Sequence, residues 1–175
     1  MEKSTALIQD FNKAVDTWIK ALKQYSFAAL CKQPSEKSWS LGQLYMHLIE
    51  STAHFAEEIK NCLGTNENME EEMSPSAKQV FLNNALPDIL IEGPASNKNT
   101  RQPQSKEILS KKFLSIKENM NALAALIPAS DFKGKTKHPG LLYFNAGEWL
   151  QFATIHLRHH LRQKKRIDTL LQQAI

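Results

Sequence analysis

Cysteine is scarce: Cys31 and Cys62 are the only two in 175 residues. Two thiols make no disulfide framework, so a reducing cytoplasm is the expected setting. Long apolar runs are missing too. None approaches the roughly 20 residues that a membrane-spanning helix needs, which argues against a span. The start, Met1-Glu2-Lys3-Ser4, lacks the basic-then-apolar layout of a secretory signal. Charge of one sign is modest, with a formal net of +4. That permits a polyanionic partner but does not argue for one.

What is present is ordinary for a globular protein: 42% apolar and 23% charged residues, in a chain long enough to bury one core as a single domain spanning 1–175. Four segments read as helices. The first runs over 4–29, where Leu7, Phe11, Ala14, Val15, Trp18 and Leu22 recur at helical spacing without a Gly or Pro between them. The second runs over 40–63 and opens on Ser40-Leu41-Gly42-Gln43, the form of a capping box. Leu41, Leu44, Tyr45, Leu48, Phe55 and Ile59 make its stripe, and Gly64 is a natural stop. The third runs over 105–127. The fourth runs over 145–172 and opens on Asn145-Ala146-Gly147-Glu148, an acceptor with a carboxylate three residues on. Residues 65–104 hold an acidic run from Glu67 to Glu72, a short helix over 76–85, and a loop marked by Pro87, Gly93, Pro94, Pro103 and the polar run from Ser96 to Gln104. Pro128 to Phe144 reads as loop. The expected fold is an all-α four-helix bundle with a long crossover connection between its second and third helices.

The fourth helix carries His156, His159 and His160 in five positions. At 100° per residue, His156 and His160 lie within the apolar stripe of Trp149, Ala153, Leu157, Ile167 and Leu171, one turn apart. His159 falls at its edge, and Arg158, Arg162, Lys165 and Arg166 fall on the opposite side. Two inward imidazoles need partners, because an unpaired buried polar group costs roughly 2–7 kcal/mol. Either neighbouring helices satisfy them by hydrogen bonds, or they hold a divalent metal. A metal needs a further ligand; His47, His54, His138, Glu50, Glu148 and Cys62 are the candidates. His47 sits to one side of the second helix's stripe, beside Ser51, as a boundary residue.

Two stretches tie these residues together. The first is Trp39-Ser40-Leu41-Gly42-Gln43-Leu44-Tyr45-Met46-His47-Leu48. The second is His138-Pro139-Gly140, then Asn145-Ala146-Gly147-Glu148-Trp149-Leu150-Gln151-Phe152, then His156-Leu157-Arg158-His159-His160-Leu161-Arg162-Gln163. Together they resemble the DinB-like superfamily of metal-binding four-helix bundles, including its bacillithiol transferase-like, YfiT-type members. The resemblance spans essentially the whole chain. It implies a metal on one histidine of the second helix and the H-x-x-x-H pair of the fourth, which carries over to His47, His156 and His160. His159 and His138 match positions that are not usual ligands. The long 65–104 connection departs from compact members.

Three imidazoles leave coordination positions open, as in catalytic zinc sites, and nickel also accepts imidazole. Such a site can lower the pKa of a bound water or thiol. The resemblance therefore implies a metal-dependent transferase or hydrolase acting on a small-molecule substrate, with a low-molecular-weight thiol as possible co-substrate, in a homodimer. Ligating imidazoles usually pass their outer N–H to an acceptor. Glu148, Glu50 and His159 are candidates for that role, although Glu148 also suits a cap and Glu50 a solvated surface. Trp39 and Trp149 are candidates to line the pocket. Cys31 and Cys62 have no evident activating base and read as packing residues. Two other classes remain: a metal-binding bundle without turnover, and a nucleic-acid binder using the basic face. The latter lacks the interleaved aromatics of a single-strand platform.

Overall fold

A computed structural model describes residues 2–36, 38–88 and 99–173. Among these residues six α-helices and a hairpin follow in order: α1 (Glu2–Leu22), α2 (Phe27–Cys31), α3 (Leu41–Cys62), α4 (Pro75–Asn83), α5 (Lys106–Leu126, continued by a 3-10 turn over Ile127–Ala129), β1 (Lys135–His138), β2 (Leu142–Asn145) and α6 (Ala146–Gln173). The four long helices α1, α3, α5 and α6 form the bundle. α1 and α3 each pack against both α5 and α6. They also meet across the core, where Trp18 and Tyr45 sit edge to face at 5.1 Å and the Tyr45 hydroxyl donates to the Trp18 carbonyl. Among the described residues, no helix is long and apolar enough to cross a membrane.

The helix starts follow the residues that predict them. Ser40 Oγ accepts the Gln43 amide and Gln43 Oε1 accepts the Ser40 amide, closing the capping box of α3. Gln43 also donates to the Thr100 carbonyl, so the same box pins the returning chain. Gly42 is required by that approach: a Cβ there would meet the Pro103 ring at 2.7 Å and the Leu30 carbonyl at 3.1 Å. At α6, Asn145 Oδ1 accepts from the Glu148 amide and Glu148 Oε2 from the Asn145 amide.

Two expectations are corrected. The first helix does not run to Ala29. It stops at Leu22, and Ser26 caps the separate short helix α2 by accepting from Ala29. The break places Tyr25 so that its hydroxyl donates to Asp168 and accepts from Lys164, a tertiary tie that outweighs local helix preference. The stretch before α6 is not plain loop but an antiparallel hairpin, with Thr136 opposite Phe144. An isolated two-stranded ribbon is marginal in water. Here Phe144 is buried in the core, and the 65–74 segment laces the hairpin. Gly134 donates to the Thr65 carbonyl, Tyr143 to that of Glu72, and Ser74 to that of Leu141. The connection then forms α4, whose Phe81 packs on Phe144 and Phe152. The loop reading at Gly93, Pro94 and 96–98 lies outside the described residues.

Candidate metal centre

Three side chains from two helices converge. Trp149 anchors the start of α6: its indole N–H donates to Thr136 Oγ1 at 2.7 Å and its ring stacks on Phe55 at 5.5 Å. Trp18 donates to the Leu157 carbonyl at 3.1 Å, fixing α6 along α1. Two turns past Trp149, His156 is half-buried, with its ring perpendicular to that of Phe55 at 5.4 Å. His160 lies one turn further. From α3, His47 enters between them, with Trp39 covering its other side at 5.2 Å. The His47 and His160 Nε2 atoms are 3.2 Å apart, and those of His160 and His156 are 3.1 Å apart. One ring nitrogen from each residue lies within 4.8 Å of the others.

The rings are held neutral. Burial pushes His47 down to about 4. Burial, with the His47 charge added, pushes His160 down to about 3. Burial and the neighbouring imidazoles hold His156 well below the usual histidine range. His160 Nδ1 donates to Gln163 Oε1 at 2.8 Å, so its Nε2 is a bare lone pair turned to the other two. Ser51 Oγ lies 3.4 Å from His47 Nδ1. His156 Nδ1 is buried without a partner among the described residues. Neutral imidazoles with converging lone pairs fit a divalent ion. Metal–nitrogen bonds of about 2.0–2.1 Å at tetrahedral angles put ligand nitrogens about 3.3–3.4 Å apart, close to the two separations found here.

The sequence pattern of the DinB superfamily matches residues 10–163. The chain belongs to the DinB superfamily. It is similar to the uncharacterised protein YuaE of Bacillus subtilis, at 24% identity over 165 residues covering 94% of this chain and 98% of YuaE. Its fold is similar to that of Bacillus subtilis YfiT, a solved structure described as a probable metal-dependent hydrolase with an unusual four-helix bundle topology. The TM-score is 0.61 at 15% identity, covering 99% of this chain and 89% of YfiT.

Within this DinB-superfamily bundle, the other candidates fall elsewhere. Glu148 is the cap of α6 and does not support an imidazole. Glu50 is exposed on α3. His159 bonds to Arg162 and not to a member of the trio. The supports that exist, Gln163 and Ser51, come one turn after His160 and His47. The i, i+3 and i, i+4 spacing is the signal that finds them. Trp149 is a core residue, so only Trp39, half-buried against His47, is placed to line an approach. His138 is wedged among Phe144, Trp149 and Phe152. His54 is exposed beside Glu58. Burial raises both thiols, and Cys62 donates to the Phe144 carbonyl. The basic residues of α6 are not all on a free outer face: Arg158 pairs with Asp10, and Arg162 reaches the Leu86 carbonyl and Asp88.

Proposed function

We propose that His47, His156 and His160 bind one divalent ion, zinc or nickel, and that the protein is a metal-dependent transferase or hydrolase acting on a small molecule. The observation that carries this reading is the convergence of ring nitrogens from three neutral, largely shielded imidazoles within 4.8 Å. A bound divalent ion would supply Lewis acidity that favours the deprotonated form of a small thiol or of water. The protein's own contribution is orientation and exclusion. Gln163 fixes the His160 tautomer, Ser51 sits against the outer nitrogen of His47, and Trp39 screens one side from water. Three neutral ligands also leave the ion's full positive charge uncancelled, which favours an anionic nucleophile over its protonated form.

Elemental analysis of untreated protein is the direct test, with one divalent ion per chain expected. The double substitution of His156 and His160 to alanine removes it, and undiminished metal in that variant sinks the assignment. For the reaction, small thiols are assayed against monochlorobimane, and esters for hydrolysis, with and without chelator. A retained metal with no metal-dependent rate in either assay leaves a binding bundle without turnover.

A further inference from the structure

The α6 flank of the three histidines carries two arginines, Arg162 and Arg166, and only the first of them is paired with a carboxylate among the described residues. The His159 ring lies 5.2 Å from that of His160. Its Nδ1 accepts a 2.7 Å hydrogen bond from Arg162 Nη2. An arginine can only donate, so the proton of the neutral His159 ring resides on Nε2. Arg162 is itself fixed by the Leu86 carbonyl at 2.9 Å and by Asp88 at 3.4 Å, so a chain of contacts holds the His159 ring and its tautomer. Arg166 follows seven residues after His159 and three after Gln163, on the same face of α6. It is exposed and has no hydrogen bond or ion pair among the described residues. Its positive charge is felt at both His159 and His160. Among the described residues, no carboxylate pairs with it. Asp88 is paired with Arg162, Glu148 is the α6 cap, and Glu50 on α3 bonds to none of these groups.

We propose that His159 and Arg166 form an oxyanion-binding subsite beside the three histidines, which holds a carboxylate-like group of the small-molecule substrate. This rests on reading the trio as the centre of a small-molecule enzyme. His159 Nε2–H supplies a directional donor, Arg166 supplies the charge, and Arg162 acts only through His159. The subsite selects anionic over neutral substrates and sets which end of the substrate reaches the centre.

The probes are propanoate and its neutral isostere propanamide, added to metal-loaded protein and followed by the side-chain 15N resonances of His159 and Arg166. Propanoate is expected to shift both resonances saturably and to bind about tenfold tighter than propanamide, as one charge-assisted hydrogen bond provides. Arg166→Gln and His159→Phe each cut that preference by at least about threefold. Lys165→Gln, on the same helix but exposed elsewhere, leaves it unchanged. Equal binding of the two probes overturns the subsite. So does a preference that survives both substitutions, or one that Lys165→Gln reduces equally. Cobalt-substituted protein titrated with 2-mercaptoethanol tests the underlying reading separately. Loss of the cobalt–thiolate band with an intact propanoate response removes the thiol chemistry and leaves the subsite standing.

Discussion

Gln163→Leu isolates what a single hydrogen bond does for the trio. In the native chain, His160 Nδ1–H donates to Gln163 Oε1 at 2.8 Å, which leaves the Nε2 lone pair facing His47 and His156. Which nitrogen of a neutral imidazole holds the proton is set by the bond its other nitrogen makes. Leucine keeps the bulk and removes the acceptor. The lost bond is worth about 1–1.4 kcal/mol, so the ligand-competent tautomer loses that much bias. Converted at tenfold per 1.4 kcal/mol, zinc affinity falls roughly five- to tenfold, at the lower edge of what loss of such outer partners costs. Gln163→Glu recovers or exceeds native affinity, because a carboxylate accepts more strongly. Affinity is read by competition with a colorimetric chelator on metal-free protein, and the tautomer by the ring 15N shifts of His160. Native zinc affinity in Gln163→Leu refutes the reasoning. So does equal weakening by Leu and Glu, which reduces Gln163 to a packing residue.

Three further outcomes follow from the fold. Gly42→Ala drives a methyl group into the Pro103 ring and the Leu30 carbonyl; the expected loss is about 1–3 kcal/mol, seen as a lower urea midpoint. Asn145→Ala removes the acceptor of the Glu148 amide at about 1 kcal/mol, a fall in melting temperature of about 2–4 °C for a chain of this size. His138 is pushed down to about 4 by burial and then by the His54 charge, against an ordinary value of 6.5. As pH falls, the unfolded chain takes up that proton first, so stability present above pH 6.5 is lost between 6.5 and about 4, by up to roughly 3 kcal/mol. His138→Asn, whose side-chain oxygen can still accept the Gly140 amide, flattens part of that slope in denaturation curves taken from pH 7 to 5.

The parts legible in the sequence are those with local causes. Ser40-x-x-Gln43 and Asn145-x-x-Glu148 predict both helix starts, and the H-x-x-x-H spacing puts His156 and His160 on one inward face. His47 is different, because its place depends on where α6 lies against α3. Its helix alone puts it at the margin of the stripe, and the family resemblance is what points to it. The break after Leu22 was hidden for the same reason: the tie from Tyr25 to Lys164 and Asp168 spans most of the chain. The hairpin was missed because Lys135-Thr136-Lys137-His138 shows no apolar alternation. Its order comes from Phe144 in the core, Trp149 on Thr136, and the lacing 65–74 segment. Glu148 suited two roles in the sequence, and of the two the structure shows the cap, in which its carboxylate accepts the Asn145 amide.

The hydrogen bond from Trp18 to Leu157 links positions 139 residues apart, and His47 and His160 are 113 apart. On a ribosome, the first helix therefore emerges long before its partner is made. At about 5–20 residues per second, His47 waits roughly 6–23 s for His160 to be synthesised. The nascent chain can form local helices in that interval but cannot close its core or bring the three histidines together. Completion of the bundle, and any loading of an ion into it, is thus a late event in the life of each molecule. The final helix brings both the last wall of the core and two of the three histidines.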